Sequence, residues 1–230
     1  MKQLLKKIDN FLFGSLQNHY ARMLEKEVYD CESLLDVGCG SDSPIKYFSK
    51  KIKHCVGVDA FQSSIDKSKT KEIHNEYHLM NVLDIDKKFP EKSFDYVIAS
   101  DLIEHLEKEN GFKLIEIMEK LARKKVIIFT PNGFLKQHEY DRNKYQIHLS
   151  GWKIDEMKKL GYKITGINGW KFLRGEFAEM RWNPKVFWGR ISLISQYFTT
   201  RNPKNAFAIL CVKEMKKGLM SSVTSPYPIA

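Results

Sequence analysis

Leu34 to Pro44 reads LLDVGCGSDSP, an apolar run carrying one acid, two glycines two apart, and a Ser-Pro pair. The run is short and Val/Leu-rich with no strict alternation, as expected of a strand buried on both faces. Gly38 and Gly40 permit positive φ and close approach of a ligand to the backbone. Ser43 is placed to cap a helix whose first position is Pro44, where a missing N–H costs nothing. The stretch therefore reads as strand, glycine turn and helix start, the local arrangement that brings unpaired N–H groups against a bound ligand.

The same grammar repeats downstream. Short apolar runs appear at Cys55 to Asp59, Tyr77 to Val82, Asp95 to Ser100 and Val126 to Thr130, then in KITGIN from Lys163 and in NAFAILCVK from Asn205 to Lys213. Helical spacing separates them, most clearly over Gly111 to Arg123, where Leu114, Ile117, Met118 and Leu121 form one stripe and Asn110 is the expected N-cap. A further helix is expected over Gly151 to Leu160, capped by Ser150 and ended by Gly161. Alternating strands and helices imply an α/β fold, a doubly wound parallel sheet with helices on both faces.

The 230 residues, 43% hydrophobic and 29% charged, supply one core rather than two. Residues 1–32 read as an N-terminal helical cap, broken near Gly14, and 33–214 as the main domain, with a lid or substrate insertion at about 169–204. Residues 215–230 read as a disordered tail. Cys31, Cys39, Cys55 and Cys211 show no paired spacing, so neither a disulfide framework nor a Cys-rich zinc site is expected. No apolar run reaches a membrane span and no cleavable leader is evident, which predicts a cytoplasmic protein. The net charge of +10 is spread along the chain in Lys-Lys pairs, which leaves nucleic acid open as a partner without favouring it. The stretch Val186 to Phe198, with Trp188 and Arg190, is read first as a packed helix and second as a peripheral membrane contact.

The glycine turn alone is a weak signal, and a nicotinamide fingerprint would want glycine where Ser43 stands. The ordered series downstream of the turn is a stronger one. Asp59 ends the second strand about twenty residues on, where a carboxylate can accept from both ribose hydroxyls, and MNVLD and SFDYVIASDLIEHL come after it. In this series the chain resembles the class I S-adenosylmethionine-dependent methyltransferases, in a type 11-like form, from Ser33 to about Lys213. The resemblance implies a Rossmann-like, mostly parallel seven-stranded sheet with its last strand antiparallel, and S-adenosylmethionine as cofactor. It implies that Asp36 holds the methionine amino group or orders the loop. Gly38, Cys39 and Gly40 would line the cofactor by backbone, Asp59 would hold the ribose, and Ala60 and Phe61 would lie against the adenine. Asn81 and Val82 take the adenine-amino position, with Asp84 as the substitute acceptor, and Ser100 meets the methionine part.

Asp101, Glu104 and His105 are expected on one face of a helix at the cofactor's edge, with His148 approaching from downstream. Such a set suits a divalent metal, and the small-RNA 2′-O-methyltransferases and quinone-biosynthesis methyltransferases look similar here. Asp101, however, stands where glutamate is usual, and the second histidine cluster is missing, so metal is not the favoured reading. His105 or His148 then serves as general base. Asn132, Tyr140, Gln146 and Trp152, after the fifth strand, are the candidate acceptor contacts. Amino-group methylation of DNA bases usually goes with an Asn/Asp-Pro-Pro-Tyr/Phe motif where this chain reads SDLI, and the Pro-Cys pair of cytosine-carbon enzymes is also missing. The expected function is methyl transfer to oxygen or nitrogen of a small molecule or glycan precursor. RNA 2′-O-methylation and non-catalytic binding of the cofactor are the alternatives.

Overall fold

The computed structural model describes residues 18–139 and 144–216. Most of the expected N-terminal cap, Tyr140 and nearly all of the expected tail lie outside the described residues. Seven strands form one sheet: β1 (Ser33–Val37), β2 (His54–Asp59), β3 (Glu76–Leu79), β4 (Phe94–Ser100), β5 (Ala122–Pro131), β6 (Lys163–Trp170) and β7 (Ala206–Glu214). Their order is β3-β2-β1-β4-β5-β7-β6. β1 to β5 pair in parallel, and β7 runs antiparallel to both β5 and β6. Among the described residues the α-helices are α1 (His19–Glu27), α2 (Gln62–Thr70), α3 (Ile85–Lys88), α4 (Lys108–Leu121), α5 (Ile154–Lys159) and α6 (Lys185–Arg201).

The apolar strands are buried on both faces, as their composition requires. Leu35, Val37, Val97, Ala99, Val126 and Ile128 pack on one face with Leu114, Met118 and Leu121 of α4. Leu34, Tyr96, Ile98 and Ile127 pack on the other with Leu24 of α1 and Ile45. The strand order reverses between β1 and β4, and the crevice at their carboxyl ends is where doubly wound sheets take ligands.

Two expected caps are not where the local pattern puts them. Asn110 lies inside α4, whose N-cap is Glu107. Ser150 does not cap α5. Its hydroxyl donates to the Ile103 carbonyl at 3.2 Å, and the helix starts after Lys153. Ser43 does cap at Pro44, accepting from the Ile45 N–H, but the element is a four-residue 3-10 turn, Pro44–Tyr47, rather than a full helix.

α6 packs on the edge strand β6 by its polar side. Ser192, Ser195, Gln196 and Thr199 are the buried residues of the helix. Gln196 donates to the Gly166 carbonyl at 3.0 Å, Ser192 to the Asn168 carbonyl at 3.1 Å, and Ser195 accepts from the Trp170 N–H at 2.9 Å. Gly166 permits this approach, since a Cβ there would lie 2.0 Å from the Thr199 carbonyl oxygen. Gly166→Val is therefore expected to cost about 1–3 kcal/mol by overpacking against backbone. A lowered urea midpoint with unchanged slope checks it, and an unchanged midpoint would mean that the helix shifts away freely.

Candidate active site

The glycine turn stands at the carboxyl end of β1, with Gly38 at φ +68° and Gly40 at φ +58°. A Cβ on Gly38 would meet the Leu102 side chain at 2.6 Å. Behind the turn lies a buried network. Asp36 Oδ2 accepts from the Ser43 hydroxyl at 2.6 Å and lies 2.8 Å from His74 Nε2, with both the His74 and Asp36 side chains shielded from solvent. Sequence reading missed His74, since it lies on no motif, 38 residues from its partner.

Asp59 holds the turn from the side. Its Oδ2 accepts from the Gly40 N–H at 2.8 Å and its Oδ1 from the Phe61 N–H at 2.8 Å. Burial holds the Asp59 carboxyl above the ordinary carboxylate range, against the pull of these two N–H groups. Two oxygens carry about four acceptor positions, so capacity remains for further donors.

A cleft of about 810 Å³ opens over the turn, in the upper part of the roughly 300–1,000 Å³ range of small-molecule sites. Asp36, Gly38, Cys39, Gly40, Asp59, Ala60, Asn81, Val82 and Ser100 all line it, and Phe61 does not. Asn81 Oδ1 accepts from the Leu83 N–H at 3.0 Å, and Asp84 is paired with Lys87 at 2.6 Å outside the lining. Ser100 is bonded to the Tyr20 hydroxyl of α1, whose ring stacks on Phe129 at 3.9 Å.

Asp101, His105, Gln146 and His148 also line the cleft, as do Tyr145 and Phe177. Here the expected helical face is corrected. Asp101 adopts φ +48°, which breaks the chain direction after β4, and a 3-10 turn, Ile103–His105, comes next. That turn is fixed from downstream. The Glu104 carbonyl accepts from the Leu149 and Ser150 N–H groups at 2.9 and 3.0 Å, and His105 Nδ1 lies 3.2 Å from the Ile147 carbonyl. Docking of this loop brings the His105 and His148 rings to 4.7 Å between centroids.

His148 Nδ1 lies 2.6 Å from the Leu135 carbonyl. In a neutral imidazole that nitrogen carries the proton, leaving Nε2 as the lone-pair nitrogen. Burial, then His148, lowers His105 to about 4. Burial also lowers His148, opposed by the Leu135 carbonyl and the Glu176 carboxylate. Burial and the Asp101 charge raise Glu104 well above the usual range. Glu104 Oε2 accepts from Thr130 at 2.9 Å, whereas Oε1 is buried with no partner among the described residues. One ligand atom each of Glu104, His105 and His148 lies within 4.8 Å of the other two, and Asp101 is not in that group.

Two expected acceptor contacts are elsewhere. Asn132 spends its amide on the Pro203, Lys204 and Ala206 carbonyls, and Trp152 is fully buried against Phe112, so neither lines the cleft.

Residues 35–129 match the family model of the methyltransferase domain. Strands β1 to β5, the glycine turn and the acid at the end of β2 fall within or beside that match, and β6 and β7 lie beyond it. These features mark residues 35–129 as similar to a methyltransferase domain. A ubiquinone biosynthesis O-methyltransferase from Rickettsia bellii is 25% identical to the chain over 183 residues, covering 68% of this chain and 73% of that protein. The fold is shared with a SAM-dependent methyltransferase from Archaeoglobus fulgidus, at a TM-score of 0.59 and 20% identity over 89% of this chain and 98% of that one. It is also shared with the plantazolicin methyltransferase BamL, solved with a substrate analogue and S-adenosylhomocysteine, at 0.52 and 15% identity, covering 94% and 91%. No helix among the described residues is long and apolar enough to cross a membrane.

Proposed function

We propose that the enzyme methylates a hydroxyl oxygen of a small molecule or glycan precursor, with His148 as general base. The observation that carries this is the tautomer-fixed imidazole that lines the same cleft as the glycine turn. Transfer to oxygen breaks the sulfonium C–S bond, returns its electron pair to sulfur and forms the new O–C bond. The hydroxyl proton has to leave, and a lone-pair nitrogen takes it. His105, lowered to about 4, is the weaker base of the two. A nitrogen acceptor would have less need of such a group, and the Rickettsia relative's name, an O-methyltransferase, agrees with oxygen.

In this reading the backbone of Gly38 to Gly40 receives the methionine part, with Asp36 and Ser100 beside it. Asp59 receives the ribose, and Ala60, Asn81 and Val82 receive the adenine. Gln146 supplies an acceptor contact, joined by Tyr145. Asp59→Ala is expected to weaken S-adenosylhomocysteine binding at least tenfold, about 1.4 kcal/mol or more, measured by calorimetry. Binding by the parent protein should fall as pH drops through the raised Asp59 pKa, because the protonated carboxyl loses acceptor capacity. The loss should begin above the ordinary carboxylate range and be missing in Asp59→Asn. An Asp59→Ala dissociation constant equal to the parent's would remove Asp59 from the ribose site.

A second reading rests on Glu104 Oε1, a buried acceptor without a partner beside two imidazoles. One carboxylate and two histidines fit a divalent cation such as zinc, which prefers such donors and keeps an open position in catalytic sites. Bound there by Glu104, His105 and His148, it would acidify and orient an acceptor hydroxyl. Labelled methyl transfer to a panel of hydroxylated and amine acceptors, with and without EDTA, separates the readings. Transfer to hydroxylated compounds alone, unchanged by EDTA, supports the base. Loss in EDTA restored by a divalent ion transfers the role to the cation, and transfer to amines alone sinks both.

A further inference from the structure

α6 is amphipathic in reverse. Its buried residues are polar, and its outward face carries Val186, Phe187, Ile194, Tyr197 and Phe198, between 48% and 68% exposed, with Arg190 and Arg201 exposed on the same face. The polar side faces inward because its hydroxyls and amide bond to the backbone of the edge strand β6. The apolar side is thus left outward by the same contacts that hold the helix.

The patch extends beyond the helix. Trp182 lies 5.1 Å from Trp188 and 6.0 Å from Phe172, which stacks on Trp170 at 5.5 Å. The turn between Phe172 and Trp182 carries Phe177 and Ala178, which line the cleft. From Arg181 to Lys204 the chain has five basic residues and no acid. Glu179, in the preceding turn, is already paired with Lys185 at 2.6 Å.

We propose that this face docks on an anionic phospholipid bilayer, the helix lying in the interfacial plane. An exposed apolar face of this extent marks an interaction site rather than ordinary surface. Its composition selects the occupant. Tryptophan, tyrosine and phenylalanine interleaved with arginine and lysine, with no acid, match the headgroup boundary of a negatively charged leaflet. Docking there places the turn that lines the cleft next to the bilayer, a position from which an apolar acceptor can be drawn. The docking itself does not rest on the choice of acceptor atom or base.

The test uses the full chain with vesicles of phosphatidylcholine, with and without about one-third phosphatidylglycerol. Cosedimentation is expected with the anionic vesicles, weakened by high salt, together with quenching of tryptophan fluorescence by brominated lipid. The triple variant Phe187→Ser, Tyr197→Ser, Phe198→Ser should lower vesicle affinity about tenfold or more. Its melting curve and S-adenosylhomocysteine affinity should stay the same, because all three side chains are exposed. In Trp182→Phe, Trp188→Phe, most of the quenching should disappear. No cosedimentation with anionic vesicles, or affinity unchanged in the triple variant, overturns the proposal. So does a concentration-dependent dimer that the triple variant abolishes while vesicles fail to bind, which would give the face to a second copy of the chain.

Discussion

His148→Asn is expected to lower kcat about 10²- to 10⁴-fold, the usual contribution of a positioned general base. Asparagine can keep the structural half of the residue, since its amide N–H can donate to the Leu135 carbonyl that now lies 2.6 Å from Nδ1. It cannot keep the chemical half, because an amide oxygen does not take up a proton near neutral pH. The dissociation constant of S-adenosylhomocysteine should therefore stay within about twofold while turnover collapses. His105→Asn should act more weakly on kcat, since an imidazole lowered to about 4 draws a proton poorly near pH 7. Single-turnover rates with an acceptor found in the panel make the comparison. A His148→Asn rate within about threefold of the parent would end the base assignment.

Asp36→Ala is expected to lose roughly 1–3 kcal/mol of unfolding free energy, the cost of leaving buried hydrogen-bonding partners unsatisfied. The carboxylate sits 2.6 Å from the Ser43 hydroxyl and 2.8 Å from His74 Nε2, and the His74 Nδ1 already lacks a partner among the described residues. Alanine would leave the imidazole with neither nitrogen satisfied in a closed site, beside Gly57, where a Cβ would already touch the ring at 3.0 Å. Ser43 would lose the bond that ties its turn to β1. His74→Ala should cost less, because Asp36 keeps the hydroxyl of Ser43. Urea unfolding by circular dichroism reads both. A loss under about 1 kcal/mol in Asp36→Ala would mean that the network contributes little beyond its packing.

Much of the site was legible because its parts are local. Gly38 and Gly40 come directly after a buried strand, and Asp59 closes the next one, so strand ends and turn chemistry reveal them without knowledge of distant contacts. Nine of the ten expected cofactor positions line the cleft for that reason, and Phe61 does not. Asn132 and Trp152 were read by composition alone, which does not tell an acceptor contact from a side chain that ties loops or fills the core.

The sequence by itself determined the alternation of strands and helices, the parallel strands buried on both faces, and the glycine turn and acid that line the cleft. Each of these comes from periodicity and turn residues within a few positions of one another. The tertiary structure alone decided three things. It set His74 behind Asp36 and docked the loop of His148 onto the turn of Glu104. It also turned the apolar face of α6 outward. In each case the deciding hydrogen bonds join residues 24 to 47 positions apart. Local pattern fixes which faces a segment has, and the backbone groups left open by distant strands and turns fix which of those faces is buried.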